Sequence, residues 1–214
     1  MKAITLIMIF AACRMLAADD TNLVAAGDWS QPVATGDGVA IRGRLLILDT
    51  PDHASSLKRT DTAVYLELQE FSSAVRLVRV YCAFNKVDPP GLRCELRDSS
   101  GKLIPNSPGG FSGGEPGSYW VTLPPYCSAR LRASVYGGGR LDDGGLAVYQ
   151  ASGGWWDVHP SKTNEYYLSG TFTSAMPTNQ FGLQTGLPAV DSTNMDVWYG
   201  TITLPKVKVP VKKR

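Results

Sequence analysis

Strict period-two alternation of apolar and polar side chains limits most what this chain can fold into. In residues 62–70, Val64, Leu66 and Leu68 fall on one side of an extended backbone and Tyr65, Glu67 and Gln69 on the other. A strand with one dry and one wet face has this pattern. Residues 92–97 repeat it, with Leu92, Cys94 and Leu96 inward and Arg93, Glu95 and Arg97 outward, and residues 75–84 align Val78, Val80, Cys82 and Phe84. Further strands are predicted over 39–48, 119–123, 129–135, 145–149, 165–173 and 197–204, with a weaker one over 207–211. No amphipathic helical stripe accompanies them.

Glycine and proline make up 36 of the 214 residues and sit in clusters between the apolar segments, as turns between short strands require. Short connections favour antiparallel neighbours, because a parallel pair needs a long crossover. The expectation is an all-β antiparallel two-sheet sandwich, with a closed β-barrel as the alternative. One domain is expected over residues 19–204, followed by a basic edge strand or tail over 205–214 that carries Pro205, Pro210 and four lysines.

The N-terminus reads as an export signal. Lys2 gives a positive start, residues 4–12 an apolar run, and Leu16, Ala17 and Ala18 a small-residue exit before Asp19. A run of about nine residues is short of the roughly twenty that a helix needs to cross a bilayer, so no transmembrane anchor is expected. Acylation of Cys13, in the sequence Phe10-Ala11-Ala12-Cys13, is the alternative route to the envelope. Without Lys2 and Arg14 the chain carries 19 basic and 19 acidic side chains. A neutral chain lacks the field that a nucleic-acid partner demands.

Export places Cys82, Cys94 and Cys127 in an oxidising compartment, an odd number that leaves one thiol free or paired elsewhere. If strands 75–84 and 92–97 form a hairpin with Phe84 opposite Leu92, Cys82 faces Cys94 at disulfide distance. Cys82 with Cys94 is therefore the first pairing expected. Cys94 with Cys127, or three buried free thiols, are the alternatives.

Sequence motifs for catalysis are weak. Gly110-Phe111-Ser112-Gly113-Gly114 fits the G-x-S-x-G pattern, and Asp143 or Asp157 followed by His159 completes a Ser, Asp, His order. A nucleophile elbow needs a strand-to-helix turn, whereas Pro105, Pro108 and Pro116 surround Ser112. His53 and His159 are the only histidines, and no zinc spacing appears. Asp142 and Asp143 between glycines read as a turn rather than a calcium loop. No catalytic residue, metal or cofactor is assigned.

Three aromatic doublets, Trp155-Trp156, Tyr166-Tyr167 and Trp198-Tyr199, place neighbouring rings on opposite faces of a strand, one in the core and one exposed. Exposed Trp or Tyr suits stacking on sugar or docking of a protein. Trp155, Trp156, Tyr167 and Trp198 are the candidate ligand-binding residues. Outward arginines (Arg42, Arg44, Arg76, Arg93, Arg97, Arg130, Arg132), interleaved with Glu67, Glu70 and Glu95, read as cross-strand ion pairs. The functional expectation is an exported, non-enzymatic binding or structural module that takes a glycan or an envelope protein. An exported serine hydrolase using Ser112 and His159, or an accessory domain without a ligand, are the alternatives.

Overall fold

The computed structural model describes residues 22–35, 38–51, 60–71, 77–83, 91–107, 118–133, 138–139, 141–149, 154–162, 164–175 and 195–211. Among the described residues the regular structure is nearly all β, in several sheets of which none is closed into a barrel, consistent with an all-β sandwich. Fifteen strands are described: β1 (Leu23–Ala26), β2 (Val33–Ala34), β3 (Ala40–Pro51), β4 (Thr60–Glu70), β5 (Leu77–Ala83), β6 (Leu92–Asp98), β7 (Leu103–Ile104), β8 (Ser118–Leu123), β9 (Ser128–Arg132), β10 (Gly138–Gly139), β11 (Leu146–Tyr149), β12 (Trp155–Val158), β13 (Tyr166–Ser174), β14 (Met195–Trp198) and β15 (Gly200–Lys208).

The long pair β3 and β4 is the spine of the first sheet. Ile41 faces Glu70 at one end and Pro51 faces Thr60 at the other. β1 and β2 line the far edge of β3, while β9 and β10 line the far edge of β4. A second sheet runs β15-β13-β6-β7, a third β14-β5-β8, and β11 with β12 forms a two-stranded ribbon. All pairings are antiparallel except β5 with β14, which is parallel.

Alternation sorts the side chains of most strands as the sequence predicts, although in β3 Leu46 and Leu48 are buried on the opposite face as well. Ile41, Leu45 and Ile47 of β3 and Val64, Leu66 and Leu68 of β4 enter one core cluster with Leu92 and Leu96 of β6, Leu168 and Phe172 of β13, and Ile202 and Leu204 of β15. The first and second sheets meet where β15 lies against β3. An added Cβ at Gly43 would stand 3.0 Å from a Leu204 methyl, so the smallest side chain marks the closest approach of the layers. Burial of this apolar area, at roughly 25 cal/mol per Å², is the main driving force for the fold.

The basic C-terminal segment extends β15 as an edge strand. Between Leu168 and Gly170 the pairing of β13 with β15 shifts register, and Pro205 falls in the resulting bulge. A proline is tolerated there because the ladder has no use for its missing N–H. Beyond it Val207 and Val209 are buried, while Lys206 and Lys208 face outward.

The expected hairpin of residues 75–84 with 92–97 is not formed. β5 lies between β8 and β14, and β6 pairs with β13 and β7, so the two strands belong to different sheets. Cys82 faces Tyr119 and Cys94 faces Gly170. Cys82 and Cys94 are both free thiols, which also removes the alternative pairing of Cys94 with Cys127. Residue 84, on which the predicted register rested, lies outside the described residues. Val78, Val80 and Cys82 of β5 and Leu92 and Leu96 of β6 do face inward, but that pattern does not say which sheet completes the core beneath each strand.

Burial pushes both thiols up to about 12. At pH 8 only about one in ten thousand of either is thiolate, and the thiolate is the reactive form. Neither is therefore expected to be alkylated by iodoacetamide at pH 8 in the native chain, and both should be modified in guanidinium without reductant. Peptide mapping checks this, and native labelling of either would contradict their burial. The folded pKa lies above the unfolded one, so the neutral thiols are accommodated below pH 9. Their burial then costs stability as pH rises from about 9 towards 12.

Candidate functional site

The outer face of β3, β4 and β9 gathers arginine and aromatic side chains. Register aligns Arg42 with Gln69 and Arg44 with Glu67 across β3 and β4. It then aligns Glu67 with Arg130 and Gln69 with Ser128 across β4 and β9. Residues directly opposite on an antiparallel pair share a face, so these side chains form two adjacent rows.

Glu67 is the hub of the first row. It is only 3% exposed, and its two carboxylate oxygens accept hydrogen bonds from Arg44 Nε at 2.6 Å and Arg130 Nε at 2.9 Å. A buried carboxylate is stable only when paired and hydrogen-bonded in this way. In the second row Gln69 Oε1 accepts from Arg42 Nε at 2.8 Å.

Aromatic rings fix the same arginines from a second direction. Trp29 lies in the stretch between β1 and β2, tied to β3 by Gly27 N to Leu45 O and Ser30 N to Gly43 O, each 2.9 Å. The buried Ser30 hydroxyl also accepts from Gly43 N at 3.0 Å. So held, the indole lies under both guanidinium carbons, with Arg42 at 4.7 Å and Arg44 at 4.4 Å from its centroid. Phe71, whose N–H donates to Ala40 O, stacks with Arg42 at 4.3 Å. Each such contact contributes about 0.5–1 kcal/mol at an exposed site.

Tyr126 adds a third ring at the rim. Its backbone adopts φ 59°, the left-handed region that a tyrosine rarely occupies. The conformation is held by its N–H donating to Glu70 Oε2 at 2.7 Å and by Cys127 N donating to Pro124 O across the turn. Glu70 is completely buried, so this anchor is firm. The turn leaves Tyr126 52% exposed, and Phe71 just past β4 is 46% exposed. Strain retained beside an exposed ring is a pattern of functional surfaces.

Four residues were expected to bind ligand, and the structure places two of them in the core. Trp198 is fully buried, its indole N–H donating to Val33 O at 2.9 Å, and Trp156 is 4% exposed, donating to Ile104 O at 2.9 Å. Trp155 and Tyr167 are half-buried, on β12 and β13 of different sheets. Tyr167 is already occupied, because its hydroxyl donates to Glu165 at 2.7 Å and Lys206 sits 4.8 Å over its ring. The Glu165 hydrogen bond also holds its phenol above the usual range.

Of the residues named for hydrolysis, Ser112 lies outside the described residues. His159 Nδ1 stands 2.7 Å from Asp143 Oδ2, both exposed. Asp157 takes no part and faces the Trp155 indole N–H at 3.4 Å. The His159 hydrogen bond, with a second from Gly145 N, holds the Asp143 carboxyl below the usual carboxylate range. Asp143 so engaged is the acceptor of a turn. Among the described residues no group of three or more His, Cys, Asp or Glu is placed to hold a metal, and no helix is long and apolar enough to cross a membrane.

No protein-family model, no curated protein and no solved structure matches the chain. Its chemistry is that of the arginine and aromatic face, which sequence reading missed. Trp29 and Tyr126 stand outside any alternating segment and Phe71 just past the end of one, so no periodic signal links them to Arg42. The arginines themselves were seen as outward. Glu70 was wrongly grouped with the outward acids, since alternation with Leu66 and Leu68 already puts it on the inward face, where it is buried; what could not be seen was that Glu95 pairs with Arg97 at 2.8 Å in another sheet.

Proposed function

We propose that the chain is an exported binding module without catalytic activity, and that it holds an extended glycan against the outer face of β3, β4 and β9. The observation that carries this reading is the stack of Phe71, Arg42, Trp29 and Arg44, in which planar groups are fixed by rings on one side and by Gln69 and Glu67 on the other. Fixed side chains lose little entropy on binding, so a ligand meets a prepared surface. The exposed rings of Phe71 and Tyr126 suit the C–H faces of sugars, and guanidinium groups suit their oxygens. The N-terminal signal pattern supports a role outside the cytoplasm.

A glycan array with the purified chain, run with and without calcium, tests the reading. Binding to a defined sugar is expected, and Trp29→Ala is expected to weaken it about tenfold or more, the loss of a central aromatic anchor. Trp155→Ala, on the separate β11 and β12 ribbon, is expected to leave binding unchanged. A blank array, or loss through Trp155 with none through Trp29, would overturn this assignment.

A further inference from the structure

Resting on the glycan-binding reading, we propose that the ligand is an acidic polysaccharide of the polyuronate type, whose carboxylates are met by the guanidinium edges of Arg42 and Arg44. Both arginines spend Nε on the protein, Arg42 on neutral Gln69 and Arg44 on Glu67. Among the described residues, the Nη nitrogens of both have no protein partner. Each guanidinium therefore keeps a pair of donors in a fixed plane, the geometry that grips a carboxylate with two parallel hydrogen bonds.

Charge points the same way. Among the described residues Arg42 has no carboxylate partner, and Arg44 shares the carboxylate of Glu67 with Arg130. An incoming carboxylate thus meets in Arg42 a guanidinium with no anion to give up. The row already shows what it accepts, since Glu67 is a carboxylate held between guanidinium groups on adjacent strands. Arg42 and Arg44 are two residues apart on β3, so their anchor points lie about 7 Å apart along the strand. A polymer with repeated acid groups can engage both, and the second contact is then intramolecular.

A polysaccharide suits the face better than an acidic peptide. An extended peptide is normally held by main-chain hydrogen bonds at an open sheet edge. Here β3 and β4 are interior, each paired on both sides, and offer an added chain no ladder.

The test compares the full chain on polygalacturonate, on the same polymer fully methyl-esterified, on dextran sulfate and on polyglutamate, by calorimetry at two salt concentrations. Polygalacturonate should bind at least about tenfold more tightly than any of the other three, and binding should weaken with salt. Arg42→Gln with Arg44→Gln should remove that advantage. Equal binding of the ester would overturn the acidic assignment and leave a glycan-binding module standing. Equal binding of dextran sulfate would overturn the carboxylate assignment, and of polyglutamate the choice of a sugar. Absence of polygalacturonate binding would overturn the inference, while the glycan reading falls only if the array is blank too. The ester comparison uses the unaltered chain, so it decides the matter even if the double variant fails to fold.

Discussion

Trp198→Ala is expected to lower the unfolding free energy by about 3–5 kcal/mol, the range for deleting a large aromatic from a packed core. Trp198 is the largest fully buried side chain noted and ends β14, the strand that pairs in parallel with β5. Three costs combine. The cavity forfeits the contacts of the indole with the core, and Val33 O loses its hydrogen bond from Nε1. The turn to β15 also loses its support, since an added Cβ at Gly200 would stand 2.7 Å from the Trp198 ring and so only glycine fits against it. Guanidinium denaturation measures the loss as a lower midpoint at constant slope. Trp198→Phe should recover more than half of it, because most of the volume returns although the N–H does not. A loss under about 1 kcal/mol for Trp198→Ala would mean that the site collapses freely and is not the packed centre described.

Glu67→Ala is expected to cost about 2–4 kcal/mol, between the value of an exposed ion pair and that of breaking a buried one. The carboxylate is buried, but the side chains of Arg44 and Arg130 are 23% and 22% exposed, so water reaches the stranded cations and moderates the penalty. Without Glu67 the two guanidinium groups repel across β4 and Ser128 loses a partner. Glu67→Gln should cost less, since one oxygen still accepts. A double-mutant cycle with Arg44→Met isolates the Arg44 share, and coupling below about 0.5 kcal/mol would show that the ion pair contributes only by packing. Glu67→Gln leaves Arg44 and Arg130 to compete for one oxygen, which loosens Arg44 over Trp29. A weaker grip on ligand in Glu67→Gln, at unchanged stability, would therefore place Glu67 as a positioning residue.

These two side chains show how far the sequence can be read. Glu67 on a wet face beside outward arginines is written in the alternation of residues 62–70, and the ion pair follows once Arg44 and Arg130 are brought opposite. The Trp198 doublet was equally visible, as one buried and one exposed ring, yet nothing local says that Trp198 is the buried one. In β14 it lies in the layer with Val80, which it faces across the parallel pair. Trp29 and Phe71 had no periodic neighbour to give their faces; Trp29 gained a role when β3 drew the stretch after β1 along its edge, and Phe71 when its N–H met Ala40 O.

The disulfide expectation failed for a related reason. Cys82 and Cys94 each point inward, as alternation requires, but from different sheets. Adjacency in sequence favours a hairpin because a short loop costs little entropy to close. Pairing each strand with a distant partner costs more chain entropy, and is repaid here by burying both faces of the core cluster at once.

The sequence by itself determined that this chain is all-β, which residues of most strands face inward, and that Arg42, Arg44 and Arg130 point outward from their strands. Side-chain direction in a strand is a local property with a period of two, so it survives without any knowledge of neighbours. Tertiary structure alone decided which strands share a sheet, which thiols stay free, which tryptophans are core, and which arginines keep unspent donors beside an aromatic ring. Those outcomes depend on contacts between residues tens of positions apart, where the energy lies in packing and pairing that no local pattern encodes.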